Sequence, residues 1–101
     1  MHTKGPWAVL PEECDKPYIR IRGTLLGGRY KVANVLKPIY DGVHEQEAKE
    51  TRDNAKLIAA APDLLKSLKG VLHAVSPYME QDGYLTIRIG LARAAIRKAT
   101  E

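Results

Sequence analysis

The sequence predicts an α+β fold: a small N-terminal antiparallel sheet of two or three strands packed against two or three C-terminal helices. Three observations carry this reading. Residues 18–22, Tyr-Ile-Arg-Ile-Arg, alternate with a period of two. After residue 43 the apolar positions recur at the three-and-four spacing of a helix. Pro11, Gly27-Gly28, Pro38, Pro62 and Pro77 punctuate the chain where these patterns stop. The 101 residues suit one domain, strand-rich over residues 1–42 and helical over residues 43–101.

The first strand is expected over residues 7–10 and stops at Pro11. In the second, Ile19 and Ile21 point one way and Tyr18, Arg20 and Arg22 the other. Gly27-Gly28 marks a turn. The third strand runs over residues 29–36. It places Tyr30, Val32, Asn34 and Leu36 on one face and Ala33 and Val35 on the other. A sheet this small needs a helix against it.

A first helix begins at Asp41 or His44, with Glu45, Glu47 and Glu50 near its positive end. Ala48, Thr51, Ala55, Ile58 and Ala59 form its apolar stripe, widened by Leu57 and Ala61. Pro62 breaks that helix and suits the first turn of the next, where its missing N–H has no role. The second helix spans residues 62–75, with Leu64, Leu65, Leu68, Val71, Leu72 and Val75 as its apolar face. Residues 80–83 read as a loop. Residues 83–98 read as one helix with Leu85, Ile89, Ala92, Ile96 and Ala99 on a stripe. The β-branched alternation of residues 84–89 leaves a short strand followed by a helix as the alternative.

Composition excludes several classes. Sixteen Lys and Arg against twelve Asp and Glu give +4, modest for a basic nucleic-acid-binding domain. The surplus is mostly N-terminal: residues 1–42 hold seven basic and four acidic side chains. One cysteine, Cys14, allows no intrachain disulfide and no cysteine-rich zinc site. No stretch approaches the length of a membrane span, and the opening residues have no signal-peptide core. A cytoplasmic protein is expected.

Chemistry-bearing constellations are sparse. His2, His44 and His73 are far apart and fit no metal-ligand spacing. Cys14 sits in Glu12-Glu13-Cys14-Asp15, where negative neighbours disfavour a thiolate. Those acids read as a solvated loop. The glycines of residues 23–28 lack the Gly-Lys-Ser/Thr ending of a phosphate loop. No catalytic, cofactor or metal residue is expected, and neither is enzymatic activity.

Two basic surfaces remain. Arg20, Arg22, Arg29, Lys31 and Lys37 read as a basic sheet face with Tyr18 and Tyr30, the cationic and aromatic groups that nucleic acid needs. Solubilising an open sheet is the plainer role. Arg88, Arg93, Arg97 and Lys98 form a second strip near the C-terminus, where cations also suit a helix end. Trp7, Leu64 and Leu68 are the structural or interface anchors; core closure is the role expected of Trp7.

The opening His2-Thr3-Lys4-Gly5-Pro6-Trp7 resembles the His-Thr-Pro-Gly-Pro-Trp start of a widespread family of small phage and prophage proteins. Residues 54–65, Asn-Ala-Lys-Leu-Ile-Ala-Ala-Ala-Pro-Asp-Leu-Leu, are similar to that family's Asn-Ala-x-Leu-Ile-Ala-Ala-Ala-Pro-Glu-Leu-Leu centre. The alanine-rich residues 92–99 are similar to its tail. Lys4 stands where proline is usual, and Asp63 where glutamate is common. The resemblance implies a phage or prophage origin and an accessory role in the host cytoplasm, and it supplies no catalytic residues. The expected function is therefore noncatalytic binding to a phage or host protein, with a homodimer also open. The alternative is a small nucleic-acid-binding regulator using the basic sheet face.

Overall fold

The computed structural model describes residues 2–28, 30–37, 45–81 and 83–100. Three strands, β1 (Trp7–Val9), β2 (Tyr18–Gly23) and β3 (Tyr30–Leu36), precede three helices, α1 (Glu45–Ala59), α2 (Ala61–Val75) and α3 (Gly83–Thr100). The sheet is antiparallel throughout, in the order β1-β2-β3. This is the α+β arrangement expected from the sequence. Contacts divide the chain into one unit of residues 3–62 and another of residues 1–2 and 63–101. The helix α1 thus belongs with the sheet rather than with the helices that follow it.

In the first unit, β2 is central, and its alternation becomes burial: Ile19 and Ile21 are sealed while Tyr18, Arg20 and Arg22 are half-buried. The register sets Ile19 opposite Val35 and Ile21 opposite Ala33, then shifts so that Arg22 faces Lys31. The shift leaves Val32 as an extra residue, a bulge in β3. Simple alternation placed Val32 with Tyr30 and Leu36. Instead Val32 packs with Ala33 and Val35 against Ile19 and Ile21, while Tyr30 and Leu36 are exposed. A bulge changes side-chain facing by one residue, which a strict period of two cannot register.

Helix α1 packs against all three strands. Ala55 of α1 is fully buried in one cluster with Ile19 and Ile21 of the sheet, where a side chain of one methyl lets helix and sheet approach. Ala48, Thr51 and Ala59 flank it half-buried. Leu57 and Ile58 were assigned to this stripe or its margin, but both are exposed, because the sheet covers only a narrow sector around Ala55. The start predicted at Asp41 or His44 lies outside the described residues, as do Arg29 and Pro38. Trp7 completes the core from β1. It is half-buried against the Ile19, Ile21 and Ala55 cluster, and its indole Nε1 donates to the Thr3 carbonyl at 3.0 Å.

The junction of α1 and α2 follows the chemistry of proline. The Ala60 N–H still donates to the Lys56 carbonyl at 3.0 Å. Pro62 has no N–H to continue the ladder, and it occupies the first turn of α2, where none is required. In the second unit α2 has no fully buried residue. Leu65, Leu68, Leu72 and Val75 are half-buried, whereas Leu64 and Val71 are exposed. The wide apolar face expected of α2 is therefore covered along one side only. Of the loop expected over residues 80–83, residues 80 and 81 close a 3₁₀ turn over Ser76–Gln81, residue 83 opens α3, and residue 82 lies outside the described residues; the turn is opened by the Ser76 hydroxyl donating to the Leu72 carbonyl at 2.6 Å. Helix α3 is continuous, which removes the strand alternative for residues 84–89. Its stripe is as expected up to Ile96: Ile89 is buried and Leu85, Ala92 and Ile96 are half-buried, with Ala99 exposed.

Candidate interaction surface

The outer face of the sheet collects Tyr18, Arg20 and Arg22 from β2. Opposite them on β3 stand Leu36, Asn34 and Lys31, which share that face by cross-strand pairing. The arginines are engaged within the unit. Arg20 Nη2 lies 2.9 Å from Glu13 Oε1. Arg22 Nη1 donates to the Ile21 carbonyl at 2.9 Å and the Ala33 carbonyl at 3.1 Å, and its Nη2 donates to Asn34 Oδ1 at 3.1 Å. Arg22 thus ties β2 to β3 beside the bulge.

The acidic segment before β2 does more than face water. Besides the Glu13 ion pair, Glu12 accepts from Arg52 Nε on α1 at 2.9 Å, and Lys37 Nζ donates to the Glu13 carbonyl at 3.2 Å. The hydrogen bond from Arg52 holds the Glu12 carboxyl below its ordinary value, and Glu12 raises Arg52 in return. On the outer side of α1, Lys49 and Asp53 pair at 2.7 Å; the hydrogen bond lowers Asp53 and raises Lys49. Sequence reasoning missed both Glu12 and Glu13 as partners. Their cations lie 40 and 7 residues away along the chain, and no local spacing reports such pairs.

An open groove of about 570 Å³ lies between this segment and α1, lined by Cys14, Lys16, Lys37, Thr51, Arg52 and Glu12. Its lining is of mixed charge, and two of its cations already bond to Glu12 and to the Glu13 backbone. Cys14 is exposed. Among the described residues no group of three or more His, Cys, Asp or Glu is placed to hold a metal ion.

The second unit offers a different surface. Successive residues of a helix turn by about 100°. Leu85, Ile89, Ala92 and Ile96 therefore share the covered side of α3. Tyr84, Ile87 and Leu91 form a second stripe, roughly 140° round the helix by the same spacing, and it continues into the exposed Ala94 and Ala95. Tyr84, Ile87 and Leu91 are 66%, 63% and 57% exposed. Arg88 lies over the Tyr84 ring at 4.9 Å, a cation–π contact at the edge of the stripe. Arg93 Nη2 reaches Ser76 Oγ at 3.4 Å, and Arg97 is exposed in the last turn.

Of the residues singled out from the sequence, Tyr18, Arg20 and Arg22 come together on the sheet, Arg93 and Arg97 lie on α3, and Trp7 closes the sheet's core. Leu64 is exposed on α2 while Leu68 is half-covered. Arg29 lies outside the described residues. The second stripe on α3 escaped sequence reasoning, because one apolar stripe was taken as sufficient. Its signal was present in the spacing of Tyr84, Ile87 and Leu91.

Over residues 1–101 the chain matches the family model described as Salmonella phage P22 protein Y8K6. The chain belongs to this family. It is a phage family of small proteins, as the expected phage family required. No curated protein and no solved structure matches the chain. Among the described residues no helix is long and apolar enough to cross a membrane.

Proposed function

We propose that this member of the phage family is a noncatalytic accessory factor that works by protein–protein interaction in the host cytoplasm. The observation that carries this reading is the apolar surface of α2 and α3. Leu64, Val71, Tyr84, Ile87 and Leu91 are all exposed, in a unit whose only fully buried residue among those described is Ile89. Tyr84, Ile87 and Leu91 share one face of α3, and apolar side chains exposed together on one face mark interaction sites. Affinity capture from phage-infected lysate with the wild type and Leu91→Glu tests it. Loss of a reproducible partner in the variant is expected. Sedimentation showing no self-association, together with the same captured set for both proteins, would sink the reading.

A second reading, a nucleic-acid-binding regulator, draws support from α3. Within its bounds it carries Arg88, Arg93, Arg97 and Lys98 and no acidic residue. The sheet face supports it less, because Arg20 and Arg22 are bound by Glu13, Asn34 and backbone carbonyls. Salt-dependent binding to single- or double-stranded nucleic acid tests it, and no binding at low salt would end it.

A further inference from the structure

We infer that the exposed face of α3 takes an acidic amphipathic helix of another protein, its carboxylates on Arg88 and Lys98 and its apolar residues on Ile87 and Leu91. The inference rests on the protein-interaction reading above and names the chemistry of that partner.

Helical spacing puts apolar and cationic groups on one face. Residues seven apart on a helix fall within roughly 20° of one line. Tyr84, Leu91 and Lys98 are so spaced. Ile87 and Arg88 stand on opposite sides of that line, roughly 40° and 60° from Leu91 by the same turn per residue. All five are exposed. Between Leu91 and Lys98 the face carries Ala94 and Ala95, exposed as well, whose single methyls leave room for larger side chains of a partner. The face therefore offers apolar bulk over its first turns, with one cation at its side and one at its end.

Charge selects the occupant. Within its bounds α3 carries Arg88, Arg93, Arg97 and Lys98 and no acidic residue. Arg88 lies over the Tyr84 ring, which holds a cation beside the apolar groups, and Lys98 has no ion-pair partner among the described residues. Carboxylates complement both. A second copy of α3 brings cations and no carboxylate to such a seam, and like charges repel. Nucleic acid would meet the cations but leave Ile87 and Leu91, 63% and 57% exposed, without apolar cover, since its interfaces are polar and wet. An acidic segment with an apolar side of its own satisfies both kinds of group. A helix fits the shape, because a stripe along one helix packs into the grooves of another and is read by anchors three and four residues apart. Arg88 and Lys98 are ten residues apart, roughly 15 Å along the axis. A partner helix reaches both with acids about eleven residues apart, which fall on one face, and two apolar residues between them.

The probe is a labelled alanine-rich peptide of about 20 residues, long enough to be helical in water, with Glu, Leu, Leu and Glu at i, i+3, i+7 and i+11. Its twin carries Lys in place of both Glu. Fluorescence anisotropy is read with the full chain up to about 500 μM, which covers micromolar dissociation constants. The wild type is expected to bind the Glu peptide about 10-fold more tightly than the Lys twin. Leu91→Glu, at an exposed position, is expected to keep its circular dichroism and to lose at least about 10-fold in affinity. Lys98→Glu is expected to weaken the Glu peptide about 3- to 5-fold and to strengthen the Lys twin by a similar factor. Equal binding of the two peptides, or a preference that Lys98→Glu leaves unchanged, would overturn the acidic partner. Binding that survives Leu91→Glu would overturn the face. A Glu peptide that does not bind would overturn the acidic helix, and three further measurements would say what replaces it. A wild-type dimer abolished by Leu91→Glu in sedimentation would assign the face to a second copy. Oligonucleotide bound equally by wild type and Leu91→Glu would assign the cations to nucleic acid. A phage or host protein captured by the wild type and lost in Leu91→Glu would leave the broader interaction reading standing; with no dimer and nothing captured, both would fall.

Discussion

Ile21→Ala is expected to destabilise the sheet unit by about 2–3 kcal/mol, the lower part of the range for such truncations. The magnitude follows from the packing. Ile21 is 0% exposed, and it touches a core whose other sealed members are Ile19 and Ala55. Removing three carbons therefore leaves a space that no neighbouring fully buried side chain can fill. The rim of Trp7, Val32, Ala33, Val35 and Ala59 is only half-buried, so it can move inward and recover part of the loss. That relaxation is why the upper part of the range is not expected. Trp7 is the chain's one tryptophan and packs on this cluster, so its fluorescence reports unfolding of this unit. In urea, with a slope near 1 kcal/mol per M for a unit this small, the midpoint should fall by about 2–3 M. Ile21→Val should cost about 1 kcal/mol. Leu36→Ala is the control: Leu36 is 75% exposed, and its loss should stay within about 0.5 kcal/mol. If Ile21→Ala and Leu36→Ala shift the midpoint equally, the core is not where burial places it.

Two glycines separate steric cost from backbone cost. A Cβ at Gly23 would lie 3.0 Å from Thr3 Cγ2 and 3.1 Å from Tyr30 Cβ, so Gly23→Ala should cost about 1–3 kcal/mol by overpacking, read in the same urea melts. Gly27 has φ of +69° with nothing near a Cβ; Gly27→Ala should cost about 1 kcal/mol from backbone strain alone, and Gly27→Asn should cost less because asparagine tolerates that region. The Glu12–Arg52 bond should make stability depend on acid. Arg52 lowers the folded-state pKa of Glu12, so the contribution is present at neutral pH and is lost as pH falls below about 4. Thermal melts of Glu12→Gln should lie below the wild type at pH 7 and converge with it at pH 3. A constant gap across that window would mean the pair adds nothing dependent on charge.

The sheet was legible because β2 obeys a strict alternation and glycine and proline bound it. The helix break was legible because proline's missing N–H leaves little choice. What stayed hidden depends on residues far apart in sequence. The bulge at Val32 arises from the pairing of two strands, so neither strand announces it alone. The exposure of Leu57 on α1 depends on how wide a sector the sheet covers. Arg20 and Arg22 read as a charged face because sequence shows a cation but not its partner. Glu13, Asn34 and the Ala33 carbonyl supply those partners only once β2 and β3 are in register. The second stripe of α3 was masked by its own neighbours, since cations at residues 88, 93 and 97 interrupt the pattern when it is read along the chain.

Those cations separate the two binding readings by salt. If Arg88, Arg93, Arg97 and Lys98 all met phosphates, the binding constant would fall with salt at a log–log slope of about −3.6, and raising salt from 50 to 200 mM would weaken binding about 150-fold. The protein-interaction reading depends instead on apolar area, and Leu91→Glu removes part of that area without touching a cation. The same salt step should change capture of a protein partner by less than about threefold. Fluorescence anisotropy on labelled oligonucleotide and affinity capture at the two salt concentrations measure the two dependences separately. A steep slope in the first, with capture unchanged by Leu91→Glu, would assign α3 to nucleic acid. Oligonucleotide binding absent at 50 mM, with capture lost in Leu91→Glu and insensitive to salt, would assign it to a protein partner.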